Sequence, residues 1–382
     1  MQPEVLIEKI HHAPGRIVLA VTGGGSGALA ALLQCPGASR TVLEATVPYH
    51  AAAMNAWLGA TPEKYCSQRT ARAMAMMGFQ RGQIYLAAEV SSESVSGIAC
   101  TASLASDRVK RGPHRACLAL QTLERTVSIH LPLAKGQRSR AEEEQLLSHV
   151  ILNLVAEACG LSERLPLALR EDETPRRHEA EAPLAWRELL LGNRTALGCH
   201  ALTDHDPAES PRAIFPGAFR PIHHGHRGMA LAAARLLGMN VAYEISISNV
   251  DKPPLDYLEI QRRLEQFLPD DTVWLTRSAT FEAKSEIFPG AVFVVGIDTL
   301  QRLIAVRYYD EDQRRRDESL ERIRDRGCRF LVFGRALDSG FLTLSQIPLP
   351  EPLEGICQEV SPDIFREDIS STEARKGGRW YD

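Results

Sequence analysis

Apolar and polar positions change their period several times along the chain, and those changes divide it into two mixed regions. In the first, RIVLAVT (Arg16–Thr22) is an apolar, β-branched run that stops at Gly23-Gly24-Gly25, which predicts a strand followed by a tight turn. SGALAALLQ (Ser26–Gln34) then reads as a helix, residues 41–47 as a strand and Ala51–Leu58 as a second helix. Residues 66–77 (CSQRTARAMAMM) predict an amphipathic helix, and strands are expected at 83–90, 116–121 and 126–131. A long helix is expected at 140–159, where Leu146, Val150, Leu152 and Val155 are the apolar positions. Strands alternating with helices indicate an α/β domain.

The pattern lapses at 163–183. REDETPRRHEAEAP is charged, interrupted by prolines and without apolar periodicity, so it reads as an exposed linker. The expected division is therefore a first domain at 1–162, a linker at 163–184 and a second domain at 185–382. Periodicity resumes near 211. A short strand is expected at 213–215, a helix at His224–Leu237, a strand at 241–247 (VAYEISI) and a helix at 255–267. Thr272–Thr276 and Arg329–Phe333 read as strands and 319–326 as a helix. AVFVVGI (291–297) is apolar throughout, as a strand in the middle of a parallel sheet covered on both faces must be. The fold class is thus α/β, with two α/β domains, the second a Rossmann-like doubly wound parallel sheet.

A chain of 382 residues exceeds what one hydrophobic core comfortably serves, in keeping with two domains. Hydrophobic residues make up 44% and charged residues 24%, an ordinary globular balance, and the net charge of −4 argues against a polybasic nucleic-acid surface. None of the 8 cysteines forms a CxxC pair or stands at a zinc-ligand spacing with histidine, so no metal site is expected. Buried free thiols in a reducing compartment are the simpler reading. MQPEVLIEKIHHAPG has no basic region leading into a long apolar stretch, and no run of about 20 apolar residues follows. The expectation is a cytoplasmic protein with no membrane partner.

The chemistry concentrates in FPGAFRPIHHGH, residues 215–226. It leaves a predicted strand, turns through Gly217 and enters a predicted helix. His223 and His226, three residues apart on the first turn, share a face. A helix N-terminus already presents free N–H groups and partial positive charge, so two imidazoles there make a compact triphosphate site. Gly225 leaves room for a nucleotide, Phe219 and Pro221 shape the turn, and His224 points elsewhere. An isolated pair of histidines at a helix start is weak evidence; in register after a strand, with Gly217, Phe219, Pro221 and Gly225, it is strong.

This stretch resembles the HxGH nucleotidyltransferase superfamily. Ile369-Ser370-Ser371-Thr372-Glu373-Ala374-Arg375 is similar to the ISSTxxR signature of its nicotinamide-mononucleotide branch; a class I aminoacyl-tRNA synthetase would carry a lysine-rich loop instead. Read as residues alone, Ser-Ser-Thr is a helix N-cap whose hydroxyls and N–H groups can hold phosphate, with Arg375 one turn on. The resemblance implies that His223, His226 and Arg375 are catalytic. It also implies that Gly217, Ala218, Phe219, Gly225, Gly296, Asp298, Ile369, Ser370, Ser371 and Thr372 bind nucleotide. Lys252 is a candidate phosphate or acceptor contact. Arg220 departs from the family, whose members carry Asp or Asn there. The implied reaction is attack of an acceptor phosphate on the α-phosphorus of ATP with Mg2+, the acceptor being nicotinamide or nicotinate mononucleotide. Another phosphate acceptor, or a non-catalytic nucleotide-binding regulator, is the competing reading; intact His223, His226 and Arg375 argue against the regulator.

Residues 16–133 resemble the CinA C-terminal family, which includes nicotinamide-mononucleotide deamidases, through AVTGGGS (20–26), PGAS (36–39), Pro48-Tyr49, Leu58-Gly59 and SGIA (96–99). The departures fall on the chemistry. Thr22 replaces the family's serine, Met54 replaces its lysine near Tyr49, and the Gly-Pro-Gly-Gly loop is missing after Ala99. A thioether is neither base nor cation, so no deamidase activity is expected. Two roles stay open for this domain: ligand binding through Gly23 to Ser26, or a homo-oligomeric platform.

Overall fold

The structure, a computed structural model, describes residues 1–87, 94–107, 111–200, 203–204, 210–248, 253–337 and 340–366. They fall into two compact units, one from Met1–Pro183 and Asp251–Ile260, the other from Leu184–Val250 and Gln261–Tyr381. Among the described residues no helix is long and apolar enough to cross a membrane.

The first unit runs α1 (Pro3–His12), β1 (Arg16–Thr22), α2 (Ser26–Gln34), β2 (Val42–Thr46), α3 (Ala51–Leu58) and α4 (Gln68–Leu86). It continues through β3 (Val95–Ser103), β4 (His114–Gln121), β5 (Arg125–Leu133), α5 (Arg140–Ala158) and β6 (Arg176–Glu181). The sheet order is β2-β1-β3-β4-β5-β6, parallel across β2, β1 and β3 and antiparallel beyond. Leu6, Ile10, Leu29, Leu147 and Ile151 from α1, α2 and α5 cover one face. Met54, Ala71, Met74 and Ala75 from α3 and α4 cover the other. α5 starts at a capping box in which Glu142 N donates to Ser139 Oγ at 3.3 Å and Ser139 N to Glu142 Oε2 at 2.7 Å.

Two sequence expectations fail here. Residues 83–86 continue α4 instead of forming a strand. Ile84 and Tyr85 are 70% and 40% exposed, so the apolar residues that suggested a strand are not core positions. The strand beside α4 is β3, whose Gly97 lets the helix approach: a Cβ there would meet Ala75 O at 1.9 Å. The stretch read as a linker also folds. Arg176–Glu181 pairs antiparallel with β5, and only Ala180 of its six residues is buried. Charge on an edge strand is normal, and here ion pairs anchor it: Arg177 reaches Glu157 and Glu179 at 2.7 Å, and Arg125 reaches Glu179 at 2.6 Å. Upstream, Glu173 is buried against Arg138 and accepts from the amides of Ala134 and Arg170. In the same unit, buried Arg72 donates to Asp256 at 3.0 Å and lies 3.7 Å from Glu259.

The second unit contains α6 (Leu184–Leu191), β7 (Ala196–His200), β8 (Thr203–Asp204), β9 (Ala213–Pro216), α7 (His224–Leu237) and β10 (Ala242–Ser246). α8 (Tyr257–Leu264), of which the residues up to Ile260 belong to the first unit, β11 (Thr272–Thr276), α9 (Phe281–Ile287), β12 (Val292–Gly296), α10 (Ile297–Ile304) and α11 (Gln313–Asp325) follow. β13 (Arg329–Phe333), β14 (Arg335–Leu337), β15 (Gly340–Leu342) and β16 (Cys357–Val360) complete the order. The main sheet runs β16-β13-β12-β9-β10-β11-β7-β8, parallel from β16 to β11, with β7 antiparallel to β11. This is the expected doubly wound sheet. Phe293, Val295, Phe330 and Val332 of its central strands are buried with Leu300, Leu320 and Ile323. Trp274 is a core residue of β11. The order reverses at β9, with β10 and β11 on one side and β12, β13 and β16 on the other. Open α/β sheets bind ligands at such a reversal, beyond the carboxyl ends of the strands.

Candidate active site

β9 pairs with β10 through Phe215↔Tyr243 and with β12 through Ile214↔Phe293, so residue 217 leaves the sheet at its reversal. The pairing extends one step, because Gly217 N donates to Glu244 O at 2.9 Å. The chain then folds back on itself. Phe219 adopts φ 43 and is 1% exposed, its ring lying edge-on to Phe215, Tyr243 and Phe267. A Cβ on Gly217 would stand 2.6 Å from that ring, so glycine is required by packing, its φ being ordinary. Gln266 holds the turn at two points: its Nε2 donates to Phe219 O at 3.2 Å and its Oε1 accepts from Ile222 N at 2.9 Å. Arg227 braces it from α7, bonded to Asp271 and to Gln266 O, with its guanidinium 5.7 Å from the rings of Tyr243 and Phe267.

His223 is the N-cap of α7, and His226 is its third helical residue. Their rings stack at 3.7 Å, while His224 is exposed. His223 N donates to His226 Nδ1 at 3.3 Å, which leaves the single proton of a neutral His226 ring on Nε2. Burial, reinforced by His223, pushes the His226 imidazole down to about 3. The edges of Phe219 and Phe215 supply the apolar walls. At neutral pH the site therefore offers an uncharged N–H donor at a helix N-terminus, an arrangement fitted to an anion.

Gly296, Ile297 and Asp298 stand at the end of β12, next to β9, which brings them to the same sheet edge as the two histidines. Asp298 lies in the first turn of α10 and is ion-paired with Arg335 of β14. A Cβ on Gly296 would meet nothing within 4 Å, so local space does not demand glycine there. Ala218 is exposed and Gly225 buried. Lys252 and Ile369, Ser370, Ser371, Thr372 and Arg375 lie outside the described residues. Sequence reading missed the support beneath the turn. Buried Lys284 of α9 donates to Glu244 Oε1 and to Ser278 O, both at 2.7 Å, and Thr276 Oγ1 donates to the same Glu244 oxygen. This cluster ties the ends of β10 and β11 to α9, and no local pattern marks a pair 40 residues apart.

In the N-terminal unit, Thr22 is 8% exposed and its hydroxyl donates to Pro48 O at 3.1 Å. Tyr49 is exposed, and Met54 is packed into the core with Leu58 and Met74. The Gly23 to Ser26 turn is filled from within. Glu144 Oε1 accepts from Gly25 N at 2.9 Å, Ser26 Oγ at 2.8 Å and Gly27 N at 3.4 Å. Burial opposes ionisation of this carboxyl, but the bonds from Gly25, Ser26 and Gly27 prevail and hold it below the usual range.

Residues 214–377 match the model of the cytidylyltransferase-like family, a type of domain that supports nucleotidyltransferase activity. No curated protein is significantly similar to the chain. The N-terminal region matches solved structures of the CinA family. One is the competence/damage inducible protein CihA from Agrobacterium tumefaciens, 19% identical, covering 41% of this chain and 94% of that one at a TM-score of 0.31. Another is a competence or damage-inducible protein from Enterobacter asburiae, 16% identical, covering 41% and 99% at 0.32. A CinA superfamily protein from Klebsiella pneumoniae is 13% identical, covering 42% and 97% at 0.32.

Proposed function

We propose that the C-terminal unit transfers the adenylyl group of ATP to a phosphate acceptor, with nicotinamide or nicotinate mononucleotide as the first choice, and releases pyrophosphate. The observation that carries this reading is the stacked His223–His226 pair at the α7 N-terminus, beside the reversal of a parallel sheet. An oxygen of the acceptor phosphate attacks the α-phosphorus, the bond from that phosphorus to the bridging oxygen breaks, and pyrophosphate leaves. No protein nucleophile is needed; positioning and neutralisation of charge suffice. Magnesium enters with the triphosphate as part of the substrate. His223, His226 and the α7 amides bind the phosphates, and Arg375, by the resemblance, receives the pyrophosphate. The choice of pyridine mononucleotide rests on the ISSTEAR sequence and on the CinA-like partner region, two hints from family kinship.

The N-terminal unit, on the same reading, has no deamidase activity. Thr22 is bonded to a backbone carbonyl, Met54 belongs to the core, and Glu144 occupies the turn where an anion would sit. Incubation with nicotinamide mononucleotide should release no ammonia.

The deciding experiment is pyrophosphate release with magnesium across ATP or CTP and a panel of phosphate acceptors, with His226→Ala alongside. ATP with a pyridine mononucleotide should give turnover that the variant lowers on the order of 10²–10³-fold. Turnover with a different pair would keep the reaction class and discard the pyridine acceptor. Full activity in His226→Ala would remove the site assignment.

A further inference from the structure

Thr22, Thr101, Cys117 and His130 stand in register across β1, β3, β4 and β5, and in-register neighbours share a face of a sheet. The loop ahead of α4 lays Cys66 over this row. Its thiol donates to Thr101 O at 3.6 Å, Thr101 Oγ1 donates to Tyr65 O at 2.8 Å, and Arg115 Nη2 donates to Cys66 O at 3.0 Å. A cavity of about 200 Å3 opens at this point, its lining including Lys64, Cys66, Gln68, Arg115, Cys117 and His130. Cys66 is partly exposed and Cys117 buried, and both line the cavity.

We propose that this cavity is a hydroperoxide-reactive dithiol site, in which Cys66 is oxidised and Cys117 resolves it as a disulfide. The thiolate is the reactive form of cysteine, and cationic neighbours favour it. The hydrogen bond from Cys117 is the main cause here; together with Arg115 it overcomes burial and holds Cys66 down to about 7. The same contact, with burial, pushes Cys117 up, so Cys117 stays protonated while Cys66 carries charge. Cys100 and Cys159, by contrast, are raised by burial and remain thiols.

The Cys66 thiolate attacks one peroxide oxygen. The O–O bond breaks, sulfur is oxidised to the sulfenic acid, and the departing hydroxide or alkoxide takes a proton from water. That step removes the negative charge which had kept Cys117 protonated. Cys117 then attacks the Cys66 sulfur; the S–O bond breaks, and the hydroxyl leaves as water with the Cys117 proton. The product cross-links the loop before α4 to β4.

The test uses the full chain, hydrogen peroxide at pH 7, an alkylating quench and tryptic digestion without reductant. Peptide 65–69 (YCSQR) should be found joined to 116–125 (ACLALQTLER). In Cys117→Ser, peptide 65–69 should instead carry a sulfenic acid captured by a cyclic 1,3-diketone. Before oxidation, iodoacetamide should label Cys66 at least about tenfold faster than the partly exposed Cys35 and Cys357. Labelling of Cys66 no faster than those two, or oxidation that leaves 65–69 unlinked, overturns the proposal. Both readouts come from the unaltered protein and do not depend on how the variant folds.

Discussion

His226 makes the folded C-terminal unit sensitive to acid by a calculable amount. Folding lowers this imidazole from 6.5 to about 3, so the native state refuses a proton that the unfolded chain accepts. Stability is therefore complete above the unfolded value and falls as pH drops below 6.5, until the folded value is reached. The whole gap corresponds to about 5 kcal/mol. Between pH 7 and pH 5 the unfolded histidine takes up most of its proton while the folded one stays neutral, which costs about 2 kcal/mol. His226→Gln removes the titration and keeps an oxygen to accept from His223 N. Urea unfolding of the C-terminal unit, followed by tryptophan fluorescence in matched salt at the two pH values, measures both proteins. Every other histidine is common to the two proteins, so the difference between the two losses reports on the His226 ring. If wild type and variant lose stability equally to within about 0.5 kcal/mol, the neutral buried ring is wrong, and with it the uncharged donor proposed for the phosphates.

Three further expectations test the frame around the site. Lys284→Met strands the buried Glu244 carboxylate and should lower the unfolding free energy by about 3–5 kcal/mol, whereas Lys284→Met with Glu244→Gln should recover most of it; a double variant no better than the single one contradicts the pairing. Gly217→Ala drives a methyl into the Phe219 ring and should cost about 1–3 kcal/mol and abolish most turnover, and an unchanged melting temperature would show that the turn has room. Glu144→Ala leaves the Gly25 and Gly27 amides without their acceptor and should cost about 1–3 kcal/mol at pH 7. Because Glu144 is held below the usual carboxylate range, that deficit should shrink as pH falls through the range, and a deficit independent of pH would assign it to lost packing.

What the sequence made legible is local. Arg16–Thr22, Ser26–Gln34, His224–Leu237 and Arg329–Phe333 form as expected because their signals lie within the segment: a β-branched run, a helical period, a glycine stop. β3 escaped because VSGIACTAS is built of small residues, chosen by the close approach of α4 and not by strand propensity. β6 escaped because its stability comes from pairing with β5 and from ion pairs with Glu157 and Glu179, which leave no apolar trace in RRHEAE. Tertiary context overrides a local signal in both cases.

The same division runs through the site. That His223 and His226 stand together at the start of a helix was readable from their spacing after a strand. The protonation state of His226 was not, because it is set by distant parts of the unit. Phe219 walls in His226 only while Gln266, 47 residues on, holds its carbonyl, and Arg227 reaches Asp271 across 44 residues to keep that support in place. Glu244 presents its carbonyl to Gly217 while its carboxylate is neutralised by Lys284. Residue type and spacing therefore locate the histidine pair, but the neutral ring of His226 is a property of the packed sheet and helices. A variant that leaves both histidines intact and removes only Gln266 should raise the His226 imidazole toward its ordinary value by admitting water, which a pH titration of that ring by NMR would show; an unchanged ring would mean that Gln266 does not keep water out.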